Sequence, residues 1–79
     1  MEVVRRTNQE IERSVGSVAY FVRKKRKERN LTQEEFSKVC GVGLAFLKRL
    51  EAGDENLHLG KVLQVMRNLN ADLFPKEYQ

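Results

Sequence analysis

Residues 31–53 read LTQEEFSKVCGVGLAFLKRLEAG, and almost every position in the stretch has a mechanical reading. Thr32 is a strong N-cap residue, because a hydroxyl can accept from a backbone N–H left unpaired in a helix's first turn. Glu35, three residues on, completes a capping box. The short helix that follows is expected to bury Phe36, Val39 and Cys40. Gly41-Val42-Gly43 forms a tight connection in which Gly41 takes positive φ without a Cβ clash. A second short helix then runs from about Leu44 to Ala52, with Phe46, Leu47 and Leu50 turned inward and Gly53 as its stop.

Outward from this stretch the chain stays helical in pattern. Thr7 and Glu10 have capping-box spacing, and Ile11, Val15, Val18 and Val22 follow as one apolar stripe, widened by Ala19 and Phe21. Gly16 and the serines beside it weaken this helix, so its start falls between Asn8 and Ser17. Its end is expected at Asn30, a residue that tolerates the left-handed conformation. Asp54–His58 is polar and reads as a loop. Val62, Leu63, Met66 and Leu69 mark a last helix near 60–69, with Asn70 closing it. No stretch alternates apolar and polar residues over a strand's length, so the expected fold is all-α.

Composition narrows the function. Seventy-nine residues make one small domain. The single Cys40 excludes an internal disulfide, and one histidine, His58, leaves no zinc set; no metal or cofactor site is expected. No nucleophile, base and oxyanion donor can be assembled from these residues, so an enzyme is not expected. No apolar run reaches the roughly 20 residues that span a bilayer, and the N-terminus lacks a signal peptide's apolar stretch, so the chain reads as cytoplasmic. The net charge of +4 is uneven: residues 1–30 hold nine Lys/Arg against four Asp/Glu, and residues 31–79 hold six against seven. A polyanionic partner approached through the first third would exploit that asymmetry, and so would a merely solvated basic helix. Arg23, Lys24 and Lys27 lie in its densest basic run, where they could contact a sugar-phosphate backbone.

Two short helices joined by a glycine-containing turn are the helix-turn-helix signature, here residues 32–53. Small Ser37 lets the helices approach, Val42 plugs the core after the turn, and Leu47 and Leu50 anchor the second helix. Leu44, Ala45, Lys48 and Arg49 then face outward. A helix held this way offers its N-terminal end to base edges and phosphate.

The runs Leu31-Thr32-Gln33-Glu34-Glu35-Phe36, Gly41-Val42 and Leu50-Glu51-Ala52-Gly53 resemble the Cro/cI-like helix-turn-helix superfamily, over about residues 17–70. Within it, FLKRLEAGDENLHLGKVLQVMRNL is most similar to the HipB-type antitoxin regulators. The resemblance implies a compact four- to five-helix lambda-repressor-like DNA-binding domain. It also implies a homodimer that represses its own promoter on operator DNA and holds in check a HipA-like serine/threonine kinase toxin. Carried over, Thr32 and Gln33 contact phosphate, and the recognition positions fall on Gly43, Leu44, Ala45, Lys48 and Arg49.

Two departures stand out. Polar residues commonly occupy the positions of Gly43, Leu44 and Ala45, whereas leucine and alanine offer only apolar contact to a thymine methyl. A lysine or arginine commonly follows Gly53, whereas this chain has Asp54-Glu55. The alternative is therefore a protein-interaction module that mainly sequesters a kinase and binds DNA weakly.

Arg26 extends the Val15-Val18-Val22 stripe by one turn and so points inward, where a charge needs a partner or must snorkel to water. The resemblance supplies Glu51 as the partner, an ion pair locking the first helix to the recognition helix. The expected division is an N-terminal extension at 1–14, the domain at 15–72, and a tail at 73–79. Leu73, Phe74 and Tyr78 follow the last helix with no evident intrachain partner. The HipB-like resemblance implies an extended tail that uses Leu73 and Phe74 as a dimer contact, with simple fraying as the alternative.

Overall fold

The structure, a computed structural model, describes residues 8–75, with side chains from residue 15 onward. The order is α1 (Asn8–Glu28), α2 (Gln33–Cys40), α3 (Leu44–Glu51) and α4 (Leu59–Asn68), with no strand among the described residues. The fold is all-α, with four helices there and no fifth. The Thr7–Glu10 capping box, the inward face of Ile11 and Tyr78 lie outside the described residues.

All four helices stop in the same way. Asn30, Gly41, Gly53 and Asn70 take left-handed φ of 58°, 71°, 83° and 56°. The N–H of the next residue then reaches back to the final turn: Leu31 to Arg26 O at 3.3 Å, Val42 to Ser37 O at 3.0 Å, Asp54 to Arg49 O at 3.1 Å and Ala71 to Met66 O at 2.9 Å. These Schellman closures satisfy carbonyls that a helix end would otherwise leave unpaired. At the other end of α2, Thr32 and Glu35 form the reciprocal capping box.

The core gathers Val22 from α1, Phe36 and Cys40 from α2, Leu47 and Leu50 from α3, and Val62, Val65, Met66 and Leu69 around α4. Burying each large apolar side chain contributes about 1.5–3 kcal/mol. α3 packs against both α1 and α2, and α2 also packs on α4. The partly buried Leu31 and Val42, each next to a left-handed stop, close over this core.

Two expectations need correction. Val39 is 58% exposed, not buried. α2 turns Phe36, Ser37 and Cys40 inward; at 3.6 residues per turn Val39 sits roughly 100° off the middle of that face. α1 begins at Asn8, the early limit of the expected range, and Gly16 lies inside it with open space where a Cβ would be. On α4 the fully buried residue is Val65, and Leu63 is only half-buried. Residues 71–75 have no regular structure; Leu73 packs on the core while Phe74 is 82% exposed.

Candidate nucleic-acid interface

α3 is eight residues long and is held through one side only. Leu47, Leu50 and Glu51 are buried, and Phe46 packs half-buried beside them. On the other side Ala45, Lys48 and Arg49 are exposed and Leu44 is half-buried. Gly43 is the N-cap and makes no side-chain capping bond, so its first-turn N–H groups have no acceptor from that residue. Thr32 and Gln33 sit together at the start of α2. The Thr32 hydroxyl accepts from Glu35 N–H at 3.1 Å, and the Gln33 amide donates to Glu51 Oε1 at 3.3 Å.

Glu51 is the joint of the motif. Its carboxylate accepts from Arg26 Nε at 2.8 Å and Arg26 Nη2 at 2.9 Å, a bidentate fork. Arg26 Nη1 donates to Leu31 O at 2.7 Å, just past the end of α1. Arg26 is 8% and Glu51 4% exposed, and among the described residues no buried side-chain polar atom lacks a partner. The Glu51 backbone carbonyl accepts from Arg23 Nη1 at 3.4 Å. Three helices therefore meet on one residue at the C-terminal end of α3.

Residues 22–74, from the buried Val22 to the exposed Phe74, match the helix-turn-helix family. The chain belongs to that family. It is also similar to an uncharacterised HTH-type transcriptional regulator, y4mF, of Sinorhizobium fredii. The two are 45% identical over 58 residues, covering 73% of this chain and 76% of that protein.

In this helix-turn-helix protein the outward cations differ in how they are held. Lys48 has no hydrogen bond or ion pair among the described residues. Arg49 does: its Nε donates to Asp54 Oδ2 at 2.7 Å and its Nη2 to Asn56 O at 3.0 Å. Asp54 Oδ1 accepts from Asn56 N–H at 2.8 Å. That N–H and then the guanidinium hold the Asp54 carboxyl below the usual aspartate range. Nothing in the local sequence pattern marked this pair, because Gly53 reverses the chain between the partners. Lys24 and Lys27 are exposed on α1, and with Tyr20, Arg23 and Glu28 they line a shallow groove on its outer side.

Long-range caps brace the helix ends of this helix-turn-helix domain. The Gln64 amide of α4 donates to Cys40 O at the end of α2, and Arg29 Nη1 donates to Asn68 O at 2.6 Å at the end of α4. His58 is the N-cap of α4, its Nδ1 accepting from Lys61 N–H at 3.3 Å. Burial pushes the Cys40 thiol up to about 11, which keeps it neutral and unreactive near pH 7. Among the described residues no group of His, Cys, Asp or Glu is arranged to hold a metal, and no helix is long and apolar enough to cross a membrane.

Proposed function

We propose that this helix-turn-helix protein is a cytoplasmic transcriptional repressor that binds operator DNA with α3 in the major groove. The observation that carries the reading is the one-sided anchoring of α3: Leu47, Leu50 and Glu51 are buried while Ala45 and an unpartnered Lys48 face outward. In such a complex Lys48 donates to guanine acceptors, and Leu44 and Ala45 meet thymine methyl groups. Thr32 and Gln33 start α2 beside the phosphate backbone. Arg23, Lys24 and Lys27 supply flanking charge. The finer reading is that two copies act as a dimer on their own promoter, as the antitoxin of a HipA-like serine/threonine kinase. It rests on the HipB-like stretch at 46–69.

A second reading, a module that mainly sequesters a kinase, is favoured by the apolar edge at Leu44 and Ala45 and by the engagement of Arg49 with Asp54. Titration on the chain's own upstream DNA and on random duplex at two salt concentrations separates the readings. A repressor keeps its preference as salt rises, and Lys48→Ala lowers that preference by about 1–3 kcal/mol. Equal affinity for both duplexes at both salts would instead leave kinase sequestration as the function.

A further inference from the structure

Ala45, Lys48, Arg49 and Ala52 recur at three- and four-residue spacings, so they share the outer side of α3, and all four are exposed. Arg49 should therefore add a second cation to that face. Its guanidinium is engaged instead. Nε and Nη2 reach Asp54 Oδ2 at 2.7 Å and Asn56 O at 3.0 Å, and the other carboxylate oxygen of Asp54 is fixed by Asn56 N–H at 2.8 Å. The left-handed Gly53, with Asp54 N–H on Arg49 O at 3.1 Å, brings Asp54 back beside the side chain that it binds. Arg49 and Asp54 thus contribute no net charge to the recognition face.

Contacts to phosphate dominate affinity and carry no sequence information, and each neutralised phosphate adds counterion release. A guanidinium that left Asp54 for a phosphate would strip the carboxylate of its partner beside a polyanion. We infer that Asp54 is a specificity-determining residue. It withholds Arg49 from the DNA backbone, which lowers indiscriminate affinity and leaves discrimination to Lys48, Leu44 and Ala45. The inference rests on the DNA-binding reading above and deepens it.

The test compares wild type, Asp54→Asn, Glu55→Gln and the double variant Arg49→Ala/Asp54→Ala. Each is titrated against random duplex and the chain's own upstream duplex over a salt series, with circular dichroism confirming the fold. The amide introduced by Asp54→Asn keeps an acceptor for Asn56 N–H but releases the guanidinium. Asp54→Asn is expected to bind random duplex more tightly, with a salt slope steeper by about 0.9, and to discriminate less. The double variant, which removes a neutral pair, should match wild type in slope.

A double variant whose slope is shallower by about 0.9 shows Arg49 already on phosphate and overturns the inference. So does a Glu55→Gln slope equal to that of Asp54→Asn, since the effect would then be net charge alone. Absence of binding by all four proteins overturns the DNA-binding reading itself, whereas binding by Asp54→Asn alone supports the withholding role.

Discussion

Glu51 takes hydrogen bonds from Arg26 and Gln33 through its carboxylate and from Arg23 through its carbonyl, so truncating it strands a buried guanidinium. Breaking a buried pair by removing one partner costs about 3–5 kcal/mol, a large share of a small domain's stability. Arg26→Ala and Glu51→Ala are each expected to lower the unfolding free energy by that amount, read from urea titrations. The double replacement Arg26→Met/Glu51→Leu should recover most of it, because two apolar residues leave no unpaired charge. A cost below about 1 kcal/mol for either single change is the value of a solvated surface pair and would contradict this. The inward direction of Arg26 was legible because it continues an apolar stripe at helical spacing. The reach of Gln33 and Arg23 was not, since each is a long side chain whose backbone lies at the edge of the core.

At the scale of the helices, the start of α2 depends on one hydroxyl and its end on one left-handed residue. Thr32→Ala is expected to cost about 1 kcal/mol. Gly41→Ala should cost more, because φ of 71° strains an L residue by roughly 1–2 kcal/mol. Its added Cβ would also stand 3.2 Å from Gln64 Nε2, the group that caps Cys40 O. Thermal unfolding of the two variants checks that ordering, and an equal or smaller loss for Gly41→Ala counts against it. These boundaries were readable because a capping box and a left-handed stop are encoded within a few residues. The facing of α2 was harder. Two turns of helix leave the phase of the apolar stripe underdetermined: Ser37 lies inward where its small size placed it, while Val39 is exposed. Val65, three residues after Val62, was there to be found by spacing.

Across the whole molecule, stability should form a plateau bounded by acid and alkali. Thr32, through its backbone N–H and then its hydroxyl, holds the Glu35 carboxyl below its ordinary value of 4.5, and Asp54 lies below 3.8. Both carboxyls are more acidic folded than unfolded. Their contribution is complete above those unfolded values and is lost as pH falls through the lower folded ones. Cys40 works in the opposite sense: its folded value of about 11 exceeds the unfolded 9.0, so its contribution is complete below pH 9 and fades toward 11. Urea midpoints measured across pH should therefore fall at both ends, with the acid limb shallower in Asp54→Asn. An acid limb unchanged by that substitution would mean that Asp54 takes no part in it. The all-α architecture was legible throughout. The charge relations of the finished surface were not, because the Arg49–Asp54 pair exists only once Gly53 has reversed the chain.

Gly43 opens α3 with extended backbone angles that any residue can adopt, and a Cβ placed there meets nothing within 4 Å. Position 43 is therefore an unwritten character at the head of α3. A serine or asparagine introduced there would cap α3, gaining a few tenths of a kcal/mol over glycine, and in the proposed complex would place a polar group beside base edges. If α3 docks as proposed, target preference can change at this position without disturbing the core, and a protein engineer has the same freedom.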